Sequence, residues 1–488
     1  MRSTGIVLPI FSLPTNEGIG TLGESAYDFI DFLADSKQQY WQTPPLNHLT
    51  GPSPYSNYCV FSGNYYLIDI KKLVSQNLID ETSYKEYLKV FKHDNEKVQY
   101  QKLYIYKFDI LKTAFDQSYN KLKDKINSFK RDNSYWIEDY ALYTALKIYV
   151  FENKPWQEWD NSIKTRKKIT VNLYQEQLKD HINFIIFLQY LFYSQWFDLK
   201  RYANSKNIKM IGEFPLYCNS DSCDVWSKPS LFMLNENLYP SEKLYHEKEK
   251  IYKKYCFDQK VTYNINNLKK LHYRFLIHTL TFLNNMYDNL IINNFDYYDK
   301  YKIINFDQSD INNQEFIEKI SIKNDLFDIF SGLSSSFSPI LHDVNFADNL
   351  LNVYNIPVSK TMTDGFSKKF FDTCLPHNYK RSDVIYTSDY IDNPLKKWIA
   401  SLPRLEKSSC LKYINNNSFR DFNFDFIAKA YQSAADKILI PIQDLINSKQ
   451  ILFNPNKTNN NWTFRITQKD LNKSISNKLQ SFSKLYER

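Results

Sequence analysis

The sequence predicts an α/β barrel of alternating strands and helices that carries long insertions. Three observations lead there. Short apolar runs that end in polar residues alternate with amphipathic helical patterns along the chain. The run at 289–294, NLIINN, is apolar with a polar tip, as suits a short buried parallel strand whose end emerges at a surface. At 488 residues the chain is also long enough for one barrel with large insertions. In such a barrel the strand tips carry the chemistry, which draws notice to the adjacent Asn293 and Asn294.

The elements follow in order. Residues 5–8 read as a first short strand. Gly18, Gly20 and Gly23 come next and, with Gly5, make four of only nine glycines, which suggests backbone geometry other residues resist. Residues 24–36 place Ala26, Phe29, Ile30 and Leu33 on one helical face. Residues 39–46 read as a strand entering a loop that contains Ser53, Pro54 and Tyr55. Residues 71–180 are rich in Lys, Tyr and Leu and read as a mostly helical inserted subdomain, clearest at WIEDYALYTALK, 136–147. A helix is expected at 184–204, a strand at 208–212, and a polar exposed loop at 235–258. Then come a helix at 268–287, the strand at 289–294, a helix at 312–331, and strands at 338–344 and 383–387. Residues 433–445 pack late, and a final helix follows NWTFR at 461–465.

Composition narrows the function. Net charge is +8, from 62 Lys+Arg against 54 Asp+Glu, spread along the chain with small clusters such as 248–254. Without a basic arm or zinc-finger spacing, nucleic acid is not an expected partner. No run of about 18 apolar residues occurs, so no membrane span is expected. The N-terminal apolar run is broken by Pro9 and Pro14 and is too short for a signal peptide. Cys59, Cys218, Cys223, Cys256, Cys374 and Cys410 lack metal-ligand spacing and are expected as reduced thiols of a cytoplasmic protein. Aromatic content of 17% fits AT-rich coding or sugar-stacking platforms, and composition does not separate the two.

Several long motifs then carry a resemblance. They are the stretch 2–69, WIEDYALYTALK, GEFPLYCNSDSCDVW (212–226), LPHNY (375–379), IPIQDL (440–445) and NWTFR. In this order the chain resembles the 4-alpha-glucanotransferase (amylomaltase, disproportionating enzyme) family over nearly its whole length. The resemblance implies one TIM (β/α)8 barrel domain over 1–488, with no separate C-terminal β domain. It implies transfer of α-1,4-glucan segments between maltooligosaccharides by a retaining double displacement, with no cofactor and no metal. That chemistry needs a carboxylate nucleophile and a carboxylic acid that later acts as base. In this family a third carboxylate holds sugar hydroxyls.

The catalytic positions depart from the family pattern. The nucleophile motif R-I-D-H-F-R-G is matched by 291–297, IINNFDY, which puts Asn293 at the nucleophile, Ile291 at the arginine and Asn294 at the histidine. The acid motif A-E-D-L-G is matched by 341–345, LHDVN, with His342 at the acid and Asp343 anchoring the match. The third motif, Y-T-G-T-H-D-N, is matched by 386–392, YTSDYID, which puts Ile391 at the carboxylate and leaves Asp392 as a possible relocated one. The substrate-binding Ser53 and Tyr55 are retained, and Glu213 replaces the usual aspartate of G-D-x-P. Substrate-binding roles are expected for Ser53, Tyr55, Glu213, Asp343 and Asn294. The W-G-N-P type loop after Trp226 is missing, and with it part of the glucan-binding wall. An impaired or inactive glucan-handling protein is the first expectation. The alternative is an active transferase using Asp296, Asp343, Asp389 or Asp392.

Overall fold

The computed structural model describes residues 2–91, 96–214, 217–245, 260–305, 317–333, 337–342, 356–366, 373–416, 421–454, 456–457 and 459–488. Its strands are β1 (Ser3–Val7), β2 (Tyr40–Gln42), β3 (Lys209–Phe214), β4 (Glu242–Tyr245), β5 (Asn289–Ile292), β6 (Lys300–Asn305), β7 (Ile317–Ile320), β8 (Pro339–Leu341), β9 (Ser359–Thr361), β10 (Val384–Tyr386) and β11 (Lys437–Pro441).

Eight of these form one parallel sheet in the order β8-β5-β3-β2-β1-β11-β10-β9. A parallel bridge between Leu341 and Val358 joins the two ends, and Leu341 N–H donates to Pro357 O at 2.9 Å. The eight strands therefore run in chain order round a closed ring, and the fold is a TIM barrel. β1 is buried along its whole length. Apolar residues run continuously in strands covered on both faces, because helices pack outside and side chains fill the inside.

The helix Glu24–Asp35 buries Ala26, Phe29, Ile30 and Leu33 against the barrel, the face its spacing predicts. The turn before it uses Gly18 at φ +75°, and a Cβ there would lie 2.3 Å from the Phe91 ring. Only glycine combines that backbone region with that close approach.

Three long helices, Phe108–Asp132, Ile137–Tyr149 and Lys179–Ser205, lie between β2 and β3. Two polar latches tie this region to the barrel loops. Lys107 Nζ sits 2.6 Å from Glu17 Oε2, with both side chains buried. Glu17 also accepts the Ile70 N–H. Tyr143 OH and Lys147 Nζ donate to the two oxygens of Asp221, at 2.7 and 2.6 Å, in the loop that follows β3.

Several boundaries differ from the sequence reading. The expected helix over 268–287 is two helices, Ile265–Lys270 and Arg274–Met286, because His272 and Tyr273 adopt positive φ of 51° and 53° between them. The expected loop at 235–258 contains β4, and the described residues of the expected helix over 312–331 hold β7 ahead of the helix Lys323–Gly332. β4, β6 and β7 form a separate antiparallel sheet in the order β4-β6-β7. In β7, Ile317 and Ile320 enclose Glu318 and Lys319, and this short mixed segment pairs with β6 instead of joining the helix. Residues 246–259, 306–316 and 343–355 lie outside the described residues.

Candidate active site

The C-terminal ends of the barrel strands bring polar residues from distant parts of the chain around one carboxylate. Glu213, near the end of β3, is 2 % exposed. Its Oε2 accepts from Asn293 Nδ2 at 2.6 Å and from Tyr55 OH at 2.8 Å. Its Oε1 accepts from Tyr390 OH at 2.6 Å and Gln42 Nε2 at 3.0 Å. Four donors thus surround a buried carboxylate that would be costly to leave unsatisfied. Tyr386 OH extends the ring by donating to Gln42 Oε1 at 2.8 Å. The two phenols also meet, with Tyr55 OH 2.8 Å from Tyr390 OH.

Each residue reaches this place by strand geometry. Asn293 follows β5, which pairs with β3 so that Ile291 lies level with Glu213. Asn294, at φ 51°, turns the chain out of the strand, a conformation asparagine tolerates. His342 follows β8. Its N–H donates to Ile292 O at 3.0 Å, its ring Nδ1 lies 2.5 Å from Ser359 Oγ, and its ring meets Tyr386 edge-on at 5.7 Å. Ser53 Oγ accepts the Tyr55 N–H at 3.3 Å, and the Tyr55 ring lies 5.7 Å from Trp462. Lys260 Nζ holds the Tyr55 carbonyl at 2.6 Å.

The acidic residues of the 386–392 segment take part in local contacts. Asp389 Oδ1 accepts the Ile391 N–H at 2.7 Å and so closes a local turn. Ile391 is half-buried, and its carbonyl accepts the N–H groups of Leu452 and Phe453. Asp392 is half-buried, and its carbonyl is held by Lys397 Nζ at 2.6 Å. Asp296 opens the short helix Asp296–Asp299, and Asp343 lies outside the described residues. Among the described residues, no three His, Cys, Asp or Glu side chains are grouped to hold a metal ion. No helix among them is long and apolar enough to cross a membrane.

Sequence reasoning missed Gln42, Tyr386, Tyr390 and Asp444. The signal for Asp444 was the IPIQDL stretch. Its carboxylate accepts from Thr387 Oγ1, Ser388 Oγ and the Leu395 N–H, and the neighbouring Gln443 Nε2 donates to Tyr390 O at 2.9 Å. This end of β11 therefore fixes the loop that carries Tyr390. Burial raises the Asp444 acid from 3.8 to about 6, against the opposing pull of the donors from Thr387, Leu395 and Ser388. The folded pKa lies above the unfolded one, so the folded chain holds the extra proton between the two. The stabilisation is complete below the unfolded value and lost as pH rises through about 6. Exchanging Asp444 for asparagine abolishes that slope. The stability advantage of the unmodified chain over Asp444→Asn is expected to shrink by about 2 kcal/mol between roughly pH 4.5 and 7. Urea melts across that range check it, and an advantage that grows toward neutral pH would refute it.

The sequence model described as 4-alpha-glucanotransferase matches residues 8–471. The chain belongs to the 4-alpha-glucanotransferase family. Relatives of that name from Clostridium butyricum and Aquifex aeolicus are each 30% identical to it. The first match covers 98% of this chain and 99% of the relative, the second 96% of each. Among solved structures, an amylomaltase from Streptococcus agalactiae in complex with acarbose matches with a TM-score of 0.92. It is 27% identical, and both chains are covered completely.

Proposed function

We propose that this member of the 4-alpha-glucanotransferase family is an α-1,4-glucan-handling protein whose transfer chemistry is impaired or lost. One observation carries the reading. The nucleophile position is Asn293, and its amide donates a 2.6 Å hydrogen bond to Glu213. An amide brings no negative charge to an oxocarbenium-like transition state, and unsubstituted glucose has no acetamido group to act in its place. A histidine at the acid position, His342, does not replace the missing nucleophile. Ile391, at the third carboxylate position, has no acidic group.

The substrate class follows from the family and from Ser53, Tyr55 and Glu213 at the barrel mouth. The acarbose complex of the Streptococcus agalactiae relative supports the same class. Asn294, beside the nucleophile position, and Asp343, beside the acid position, are kept as substrate contacts on the strength of the motif match. The alternative, an active transferase with a relocated carboxylate at Asp296, Asp343, Asp389 or Asp392, draws no support at Asp389, whose carboxylate binds the Ile391 N–H.

Losing a member of a catalytic unit lowers rate by roughly 10⁴–10⁶. Purified protein incubated with maltotriose is therefore expected to release no glucose and to build no longer maltooligosaccharides, as read by anion-exchange chromatography. Robust disproportionation at ordinary enzyme loading would sink the proposal. Alanine substitutions at Asp296, Asp343, Asp389 and Asp392 would then find the working carboxylate.

A further inference from the structure

We infer that Tyr390 is a built-in occupant of the sugar position at the barrel mouth and that it bars a glucosyl ring from the Asn293 side chain. The inference rests on reading that mouth as a glucan site. It adds a second obstacle, independent of the missing nucleophile: even a repaired carboxylate would face a space already filled.

Tyr390 is 9 % exposed, and its hydroxyl reaches Glu213 Oε1 at 2.6 Å. On the other carboxylate oxygen, Tyr55 OH and Asn293 Nδ2 sit at 2.8 and 2.6 Å. The two phenol oxygens are 2.8 Å apart, which closes a triangle over Glu213. Burial first, and then the neighbouring Glu213, push the Tyr390 hydroxyl well above the usual tyrosine range, so it stays a donor. Transfer needs the anomeric carbon within about 3–3.5 Å of the attacking atom. Asn293 Nδ2 and Tyr390 OH are bonded to the two oxygens of one carboxylate, so on this reading a pyranose ring seated against Asn293 competes with the phenol for the space beside Glu213. A sugar hydroxyl that sought Glu213 would have to displace a tyrosine hydroxyl making the same kind of bond.

That exchange favours the tyrosine. A tethered hydroxyl competes at a high effective concentration and loses no translational freedom on binding, whereas a free sugar loses both advantages. The loop that holds Tyr390 is not free to swing away. Gln443 Nε2 donates to the Tyr390 carbonyl, and Asp444 grips Thr387, Ser388 and the Leu395 N–H on either side. A histidine, the residue of the family motif here, has a shorter side chain that leaves the space beside Glu213 open.

The test is isothermal titration of acarbose into the unmodified chain, Tyr390→Ala and Tyr390→His, with thermal melts to establish folding. In parallel, the unmodified chain is assayed on maltotriose. At least one folded variant is expected to bind acarbose at least tenfold more tightly than the unmodified chain. A gain below tenfold in both folded variants overturns the inference. The two readings fail separately: turnover of maltotriose by the unmodified chain defeats the proposed loss of chemistry, whereas tight acarbose binding unaltered by either substitution defeats only the role of Tyr390.

Discussion

Replacing Lys107 with alanine is expected to lower folding stability by about 3–5 kcal/mol. The Lys107 side chain is 0 % exposed and its partner Glu17 is 4 % exposed, with 2.6 Å between the charged atoms. Removing the lysine leaves a carboxylate buried with only the N–H groups of Ile70 and Lys71 for company. An uncompensated buried charge is far more costly than the pair itself is worth, because the pair's attraction only offsets its desolvation. Two controls separate this account from simple loss of packing. The double exchange Glu17→Gln and Lys107→Met removes both charges and is expected to cost less than Lys107→Ala alone. Lys85→Ala breaks a pair whose side chains are 66% and 68% exposed, and should change stability by no more than about 1 kcal/mol. Urea unfolding of the four proteins reads the differences. If Lys107→Ala is no worse than Lys85→Ala, the latch between the first barrel loop and the helical region does not hold as described.

If Asn293, His342 and Ile391 stand at the catalytic positions as proposed, returning carboxylates there is expected to fail without their surroundings. In a Tyr390→His background, Asn293→Asp with His342→Glu supplies a nucleophile and an acid. It leaves Ile291 beneath the nucleophile position and Ile391 at the third carboxylate. Adding Ile291→Arg and Ile391→Asp is expected to raise maltotriose turnover by roughly 10²–10³ over the simpler combination, the scale of one well-placed electrostatic group. Ile291 is buried in β5 and level with Glu213 on β3, so an arginine there has a carboxylate neighbour within its own strand pair. Without that pairing a buried guanidinium would unfold the barrel, and thermal melts monitor this. Ile391 is only half-buried, which makes an aspartate there less costly to introduce. Equal turnover with and without the two added changes would show that the groups around the catalytic positions never drifted.

How much of this was legible depended on sequence distance and on segment length. The strand at 289–292 announced itself by its apolar run, and the helix Glu24–Asp35 by its spacing. β9 gave no sign, because Ser359–Thr361 is three residues, none with a wholly apolar side chain. β4 hid in a charged stretch, since edge pairing in a small antiparallel sheet does not demand an apolar run. In the site, Ser53, Tyr55, Glu213 and Asn293 stood in recognisable motifs. Gln42 and Tyr390 also lie in matched stretches, but their bonds to Glu213 arise only when the barrel closes. Tyr386 and Gln42 touch across 344 positions of sequence, and Tyr390 and Glu213 across 177. No local pattern encodes such a meeting.

The hydrogen-bonded ring around Glu213 changes what selection could act on. A working pocket keeps charged groups poised for a substrate that is absent most of the time, and that readiness is bought with stability. Here Gln42, Tyr55, Asn293 and Tyr390 already satisfy both oxygens of Glu213. Each ties another strand end or loop to Glu213 near the end of β3, so exchanging any of them to admit a ligand is expected to leave a buried carboxylate short of a donor. Opening this site to a ligand and keeping the barrel stable therefore draw on the same hydrogen bonds.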